Sequence, residues 1–191
     1  MSDIDAYCPK DPSDWRGWLN EHHQSRQSVW LIYYKSTSEL FNLSWSEAVD
    51  EALCFGWIDS RRDTIDGERF KQLFSKRKAR SSWSKINKDK VAQLIREKRM
   101  TRAGREAIKI AKKNGSWNML DQVDQLIIPE DLTTALAKKS NAKDVFEAFS
   151  PSTKKAILGW ILLARKPETR ANRIAEVVRR AEKGLKPRQF L

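Results

Sequence analysis

The sequence predicts an α+β protein, with a small antiparallel sheet of about three strands (one hairpin at 57–74) packed with helices and followed by a helical C-terminal half. Three observations carry this. Ser28–Lys35, "SVWLIYYK", is β-branched and aromatic with polar flanks and reads as a largely buried strand. Asp66-Gly67 separates two further strand-like runs. Beyond the basic loop that follows them, apolar residues recur at helical spacing almost to the end. The 191 residues suit a domain of residues 1–120, holding the hairpin and the basic helices, with a helical segment of residues 121–191 packed on it.

Taken in order, "SDWRGWLNEHH" starts a helix. Ser13 is the expected N-cap, and Trp15, Trp18 and Leu19 share one face. "SWSEAVDEALCFG" is the clearest helix. Ser44 caps it, Glu47 completes a capping box, Trp45, Ala48, Val49, Ala52 and Leu53 form an apolar stripe, and Gly56 ends it. In the hairpin a two-residue Asp-Gly turn puts Asp59 opposite Phe74, Arg61 opposite Gln72, Asp63 opposite Phe70 and Arg62 opposite Lys71. Two like charges face to face cost stability unless an anion or solvent separates them, which makes Arg62 and Lys71 a first hint of function.

"KRKARSSWSK" then forms a basic loop around Trp83. Asn87 can cap a helix with Val91, Leu94 and Ile95 inward, and Thr101 can cap the next, which ends at Asn114-Gly115. Helices follow near 130–139 and 141–149. Ser150-Pro151 opens another, and Lys166-Pro167 opens the last, which has Ala171, Ile174, Val177, Val178 and Ala181 inward and closes at Gly184.

Composition excludes several classes. No apolar run reaches the roughly 18 residues needed to span a bilayer. The opening "MSDIDAYCPKDPSDW" lacks the pattern of a signal peptide. Cys8 and Cys54 make no disulfide framework, so the expected compartment is the reducing cytoplasm. The net charge of +12 is uneven, because residues 69–113 hold 17 Lys and Arg against 3 Asp and Glu. Such a bias suits an anionic partner or serves solubility.

No catalytic set emerges. His22 and His23 are adjacent, so a helix points them about 100° apart, and no third ligand is near; no metal or cofactor is expected. Cys54 ends an apolar helix beside Phe55 and reads as a buried structural thiol. Asp59 and Asp63 would lie about 13 Å apart along a strand, too far to share a proton. Lys76, Arg77 and Arg80 with Trp83 combine charge and an aromatic surface, the pairing that contacts phosphates and stacks on bases, although a Trp in such a loop more often plugs the core.

The stretch "LSWSEAVDEALCFGWIDSRRDTIDGERFKQLFSKRKARSSWSKINKDKVAQLI", with "MTRAGREAI", "AKKNGSW" and the C-terminal "FSPSTKKAILGWILLARKPETRANRIAEVV", resembles the YdeI/OmpD-associated, or bacteriocin-protection, family over most of residues 28–180. Trp57, Asp59, Arg77, Trp83, Glu168, Thr169 and Arg170 match signature positions. Ser75-Lys76-Arg77 departs from the family's Thr-Pro-Arg. The resemblance implies a cytosolic bacterial α+β protein, a genetic association with envelope and antimicrobial-peptide stress, and no established reaction.

The leading expectation is therefore a non-catalytic cytoplasmic protein that binds a polyanion, either nucleic acid or a phosphorylated ligand. Arg61, Arg62, Lys71, Lys76, Arg77 and Arg80 would supply phosphate contacts and Trp83 a stacking surface. The alternatives are an enzyme or small-ligand pocket with Asp59 as acid or base and Arg77 holding an anion, and a stress-related module acting through a protein partner.

Overall fold

The structure, a computed structural model, describes residues 4–139 and 141–190; the first three residues of the acidic opening lie outside them. Two compact units divide the chain, Met1–Met119 and Leu120–Leu191. Mixed α+β character is confined to the first unit, and the second is helical.

In the first unit the elements run β1 (Ala6–Tyr7), α1 (Pro12–His22), β2 (Ser28–Tyr34), α2 (Trp45–Cys54), β3 (Trp57–Thr64), β4 (Arg69–Lys76), α3 (Lys85–Arg96) and α4 (Arg102–Lys113). The sheet order is β1-β2-β4-β3. It has one strand more than expected, because β1 pairs parallel to β2 at its edge, and a two-residue strand is too short to show any alternation. One sheet face carries Val29, Leu31, Tyr33 and Phe74 into a core shared with Trp15 and Leu19 of α1 and Val49 and Leu53 of α2.

The hairpin departs from its expected form near the turn. Gly67 is not among the residues with positive φ, so the Asp-Gly turn that requires it does not form. Instead the Asp66 side chain accepts from the backbone N–H groups of Glu68 and Arg69, and the loop takes an extra residue. Near the turn the register is thus shifted by one: Arg62 faces Gln72 and Asp63 faces Lys71. A bulge between Asp59 and Arg62 restores the expected pairing of Asp59 with Phe74. The expected clash of Arg62 with Lys71 is therefore absent. Lys71 stands opposite Asp63, whose carboxylate pairs with Arg61, and Arg62 lies 3.8 Å from the centre of the Phe70 ring.

Two caps also move. Asp11, not Ser13, accepts from the Asp14 N–H at the start of α1, since Pro12 fits the first helical position. Ser84, not Asn87, caps α3. Ile95 and Trp45 stand at the edges of their helical faces and stay exposed. Glu51 on α2 is only 5% exposed and is clamped by Arg16 at 2.6 Å and Arg99 at 2.5 Å, which ties α1 and the α3–α4 connection to α2. Burial works to lower the Arg99 pKa, but its hydrogen bonds to Glu51 and Glu97 outweigh that and raise it.

The second unit comprises α5 (Asp121–Asp124), α6 (Glu130–Ala137), α7 (Ala142–Ala148), α8 (Pro151–Leu162), α9 (Pro167–Ala181) and a closing 3₁₀ turn, Arg188–Phe190. Ser150 caps α8, and prolines open α8 and α9. Leu132, Leu136, Phe146, Ile157, Ile161, Ile174 and Val177 form its core, while Ala171 stays exposed. Arg170 grips Asp131 with two hydrogen bonds of 2.6 and 2.9 Å, a tie between α9 and α6 that gives "KPETR" a structural role. Among the described residues no helix is long and apolar enough to cross a membrane.

Candidate anion-binding site

The site is built around the turn that joins α2 to β3. Gly56 takes φ +75°, which reverses the chain directly after the helix. Its carbonyl accepts from the Arg77 N–H at 3.0 Å, so the chain leaving β4 is fixed against the turn. Two residues earlier, the Cys54 carbonyl accepts from Thr101 twice, from N–H at 3.2 Å and from Oγ1 at 2.6 Å. Helix α4 is thereby drawn close. A Cβ on Gly104 would stand 2.3 Å from the Cys54 carbonyl oxygen, and one on Gly56 would stand 3.0 Å from the Ala107 Cβ.

A cavity of about 340 Å³ opens where these segments meet. Its walls include His23, Phe55, Lys76, Arg77, Trp83 and Glu106. Trp83 is 1% exposed and lies 5.0 Å from Trp117, ring centre to ring centre. Arg77 covers its face with Cζ 3.6 Å from the ring centre, so Trp83 is a core plug and not a stacking surface.

Arg77 is poorly satisfied for a buried charge. Nη1 donates to the Ser82 carbonyl at 3.1 Å, whereas Nε and Nη2 are closed off from solvent and have no hydrogen-bond partner. Burial pushes its pKa down to about 10, and the charge of Asp59 opposes that fall. No carboxylate makes an ion pair with it among the described residues. The neighbouring loop is pinned from outside, with the Ala79 carbonyl accepting from Asn114 Nδ2 at 2.6 Å and Ser116 Oγ at 3.3 Å.

The other sequence-derived candidates are scattered. Asp59 does not line this cavity; it accepts from Trp45 Nε1 at 2.9 Å and Gln72 Nε2 at 3.2 Å. Arg61 pairs with Asp63 at 3.1 Å, and Arg61 and Lys71 lie over Trp30 at 4.9 and 4.6 Å. Arg62 covers Phe70, Arg80 is exposed, and Lys76 reaches the Gln24 carbonyl at 3.4 Å. Of the eight, only Lys76, Arg77 and Trp83 meet at the cavity. Sequence reasoning missed His23, Phe55 and the α4 face of Ala103, Glu106, Ala107 and Ile110. That face was legible as the i, i+3, i+4, i+7 spacing of a helix already expected there, but nothing local says what it faces. Among the described residues no group of three or more His, Cys, Asp and Glu is placed to hold a metal ion.

The segments that meet here, Cys54–Trp57, Arg77–Trp83 and Thr101–Ala107, all fall within residues 7–107, which match the model of a domain of unknown function, DUF8412. The chain belongs to that family. The DUF8412 match covers more than half of the chain and contains most of the candidate cavity. Residues 125–184, within the second unit, match the family described as bacteriocin-protection, YdeI or OmpD-associated. The resemblance seen in the sequence thus holds over the segment that contains "ARKPETR", while "CFGWIDS" lies in the DUF8412 domain. No curated protein and no solved structure matches the chain.

Proposed function

We propose that the chain is a non-catalytic cytoplasmic binding protein that takes a small phosphorylated ligand in the cavity beside Arg77. One observation carries this reading: a guanidinium with two N–H-bearing atoms buried and unpartnered, on the wall of a cavity. A buried charge without a partner costs several kcal/mol, so its retention asks for a compensating anion. An anion in the cavity lies against Arg77 and supplies that charge. To reach Nε and Nη2 it must loosen the Lys78–Ser82 loop, which the Ser82 carbonyl holds to Nη1. Exposed Lys76 and Lys78 on the same wall add positive potential that draws anions in.

The extended polyanion reading loses its stacking residue with the burial of Trp83 and its like-charge pair with the shift in register. It keeps the basic surface of residues 69–113. The bacteriocin-protection description attaches to the C-terminal segment alone, and a role in envelope or antimicrobial-peptide stress would call on that unit.

The test is calorimetric titration of the purified chain with a sugar monophosphate and with a short single-stranded oligonucleotide, each at 50 and 200 mM salt. Saturable binding of the monophosphate that is lost in Arg77→Met supports the cavity. Oligonucleotide binding that falls steeply with salt and ignores Arg77→Met, without monophosphate binding, overturns it.

A further inference from the structure

A second cavity adjoins the one at Arg77. This second lobe, of about 370 Å³, shares His23, Gln24, Phe55, Ala103 and Glu106 with it, so the two meet along a common wall at Phe55. The far lobe is closed by Asn20, Thr101 and Arg102. Arg102 is exposed and makes no ion pair among the described residues. The cleft the two lobes form thus carries an arginine without a carboxylate partner at each end.

We infer that this cleft selects an extended ligand with two phosphate groups, one held at Arg77 and the other at Arg102. The inference rests on the reading of Arg77 as an anion site and adds the second end. The turn that joins α2 to β3 anchors the backbone beside each end. Arg77 is hydrogen-bonded to the Gly56 carbonyl and Thr101 to the Cys54 carbonyl. Residues two apart in the chain are separated by at most about 7 Å, which with the two hydrogen bonds places the anchored backbones on the order of 10 Å apart. That is the scale of a sugar carrying phosphates at opposite ends. Phe55 and Ala103 line both lobes and offer apolar contact to the body of such a molecule. Glu106 lies between the ends and repels a further anionic group there, which disfavours a ligand charged along its whole length.

The experiment compares fructose 6-phosphate with fructose 1,6-bisphosphate by calorimetry on the full chain at one ionic strength. The expected result is at least tenfold tighter binding of the bisphosphate. Arg102→Ala should bring the bisphosphate to the level of the monophosphate and leave the monophosphate unchanged. Arg105→Ala removes the same charge from α4 outside the cleft and should preserve the preference. Equal affinity for both sugars, or a preference that survives Arg102→Ala or vanishes in Arg105→Ala, overturns the two-ended cleft and leaves the Arg77 site standing. Binding of neither sugar overturns both.

Discussion

The Arg77 guanidinium lies flat against Trp83, with Cζ 3.6 Å from the ring centre, and neither side chain has another use in the fold that requires a charge. The indole satisfies one face of the cation through its π-electrons, but Nε and Nη2 still lack acceptors. A methionine would fill the space of the arginine stem without the dehydrated charge.

Arg77→Met should therefore leave stability unchanged or raise it, by about 1–4 kcal/mol, the range seen when buried ionic groups are replaced by apolar ones. The same substitution should abolish ligand binding. Urea denaturation and calorimetry on one preparation check both halves, and a marked loss of stability would return Arg77 to a purely structural role.

The depressed Arg77 pKa, about 10, gives a pH signature with a definite sign. Folding disfavours the charged form, so the protonated arginine penalises the folded state below pH 10, and the penalty is relieved as pH rises through 10 toward the ordinary arginine value. Any stability advantage of Arg77→Met should thus shrink as pH rises above 10. Anion affinity of the unsubstituted chain should fall over the same range, because the neutral side chain no longer attracts the ligand. Titrations at pH 8, 9.5 and 11 measure both.

Glu51 is the carboxylate that holds the first unit together. Glu51→Gln keeps its shape but leaves Arg16 and Arg99 without their shared counter-charge. Breaking one side of a buried ion pair costs about 3–5 kcal/mol. Because both arginines are roughly a third exposed and water can reach them, a loss of about 2 kcal/mol is expected here. Chemical denaturation gives the number.

Gly104→Ala tests the close approach of α4 to the turn. Alanine raises helix propensity by about 1 kcal/mol relative to glycine. The new Cβ would stand 2.3 Å from the Cys54 carbonyl oxygen, a backbone atom that cannot swing away. Steric conflict wins, and a net loss of about 1–3 kcal/mol is expected, together with weakened ligand binding as α4 moves outward. Gly17→Ala has open space and should stabilise α1.

The thiols divide cleanly. Cys8 is exposed and Cys54 is buried, and burial pushes both pKa values up, against which the Arg16 hydrogen bond at Cys54 works. An aromatic disulfide reagent at pH 8 should modify one thiol in the native chain and the second only on unfolding, with mass spectrometry assigning the first to Cys8.

Elements whose signals are local could be read directly from the residues. The Ser44–Glu47 capping box, the Thr101 cap, the Ser150-Pro151 start and the positive-φ glycines at 56, 115 and 184 all stand where their chemistry put them. Each depends on contacts within a few residues, so it can be read from spacing alone. Tertiary structure decided what spacing cannot carry. Asp66 chose to cap two N–H groups with its side chain, and that one loop residue moved Arg62 away from Lys71 and removed a functional hint. The burial of Trp83, the isolation of Arg77 and the meeting of His23, Phe55 and α4 at a shared cavity depend on segments far apart in the chain, as His23 and Ile110 are. Side-chain burial and an absent partner are properties of what surrounds a residue, and only the folded chain supplies the surroundings.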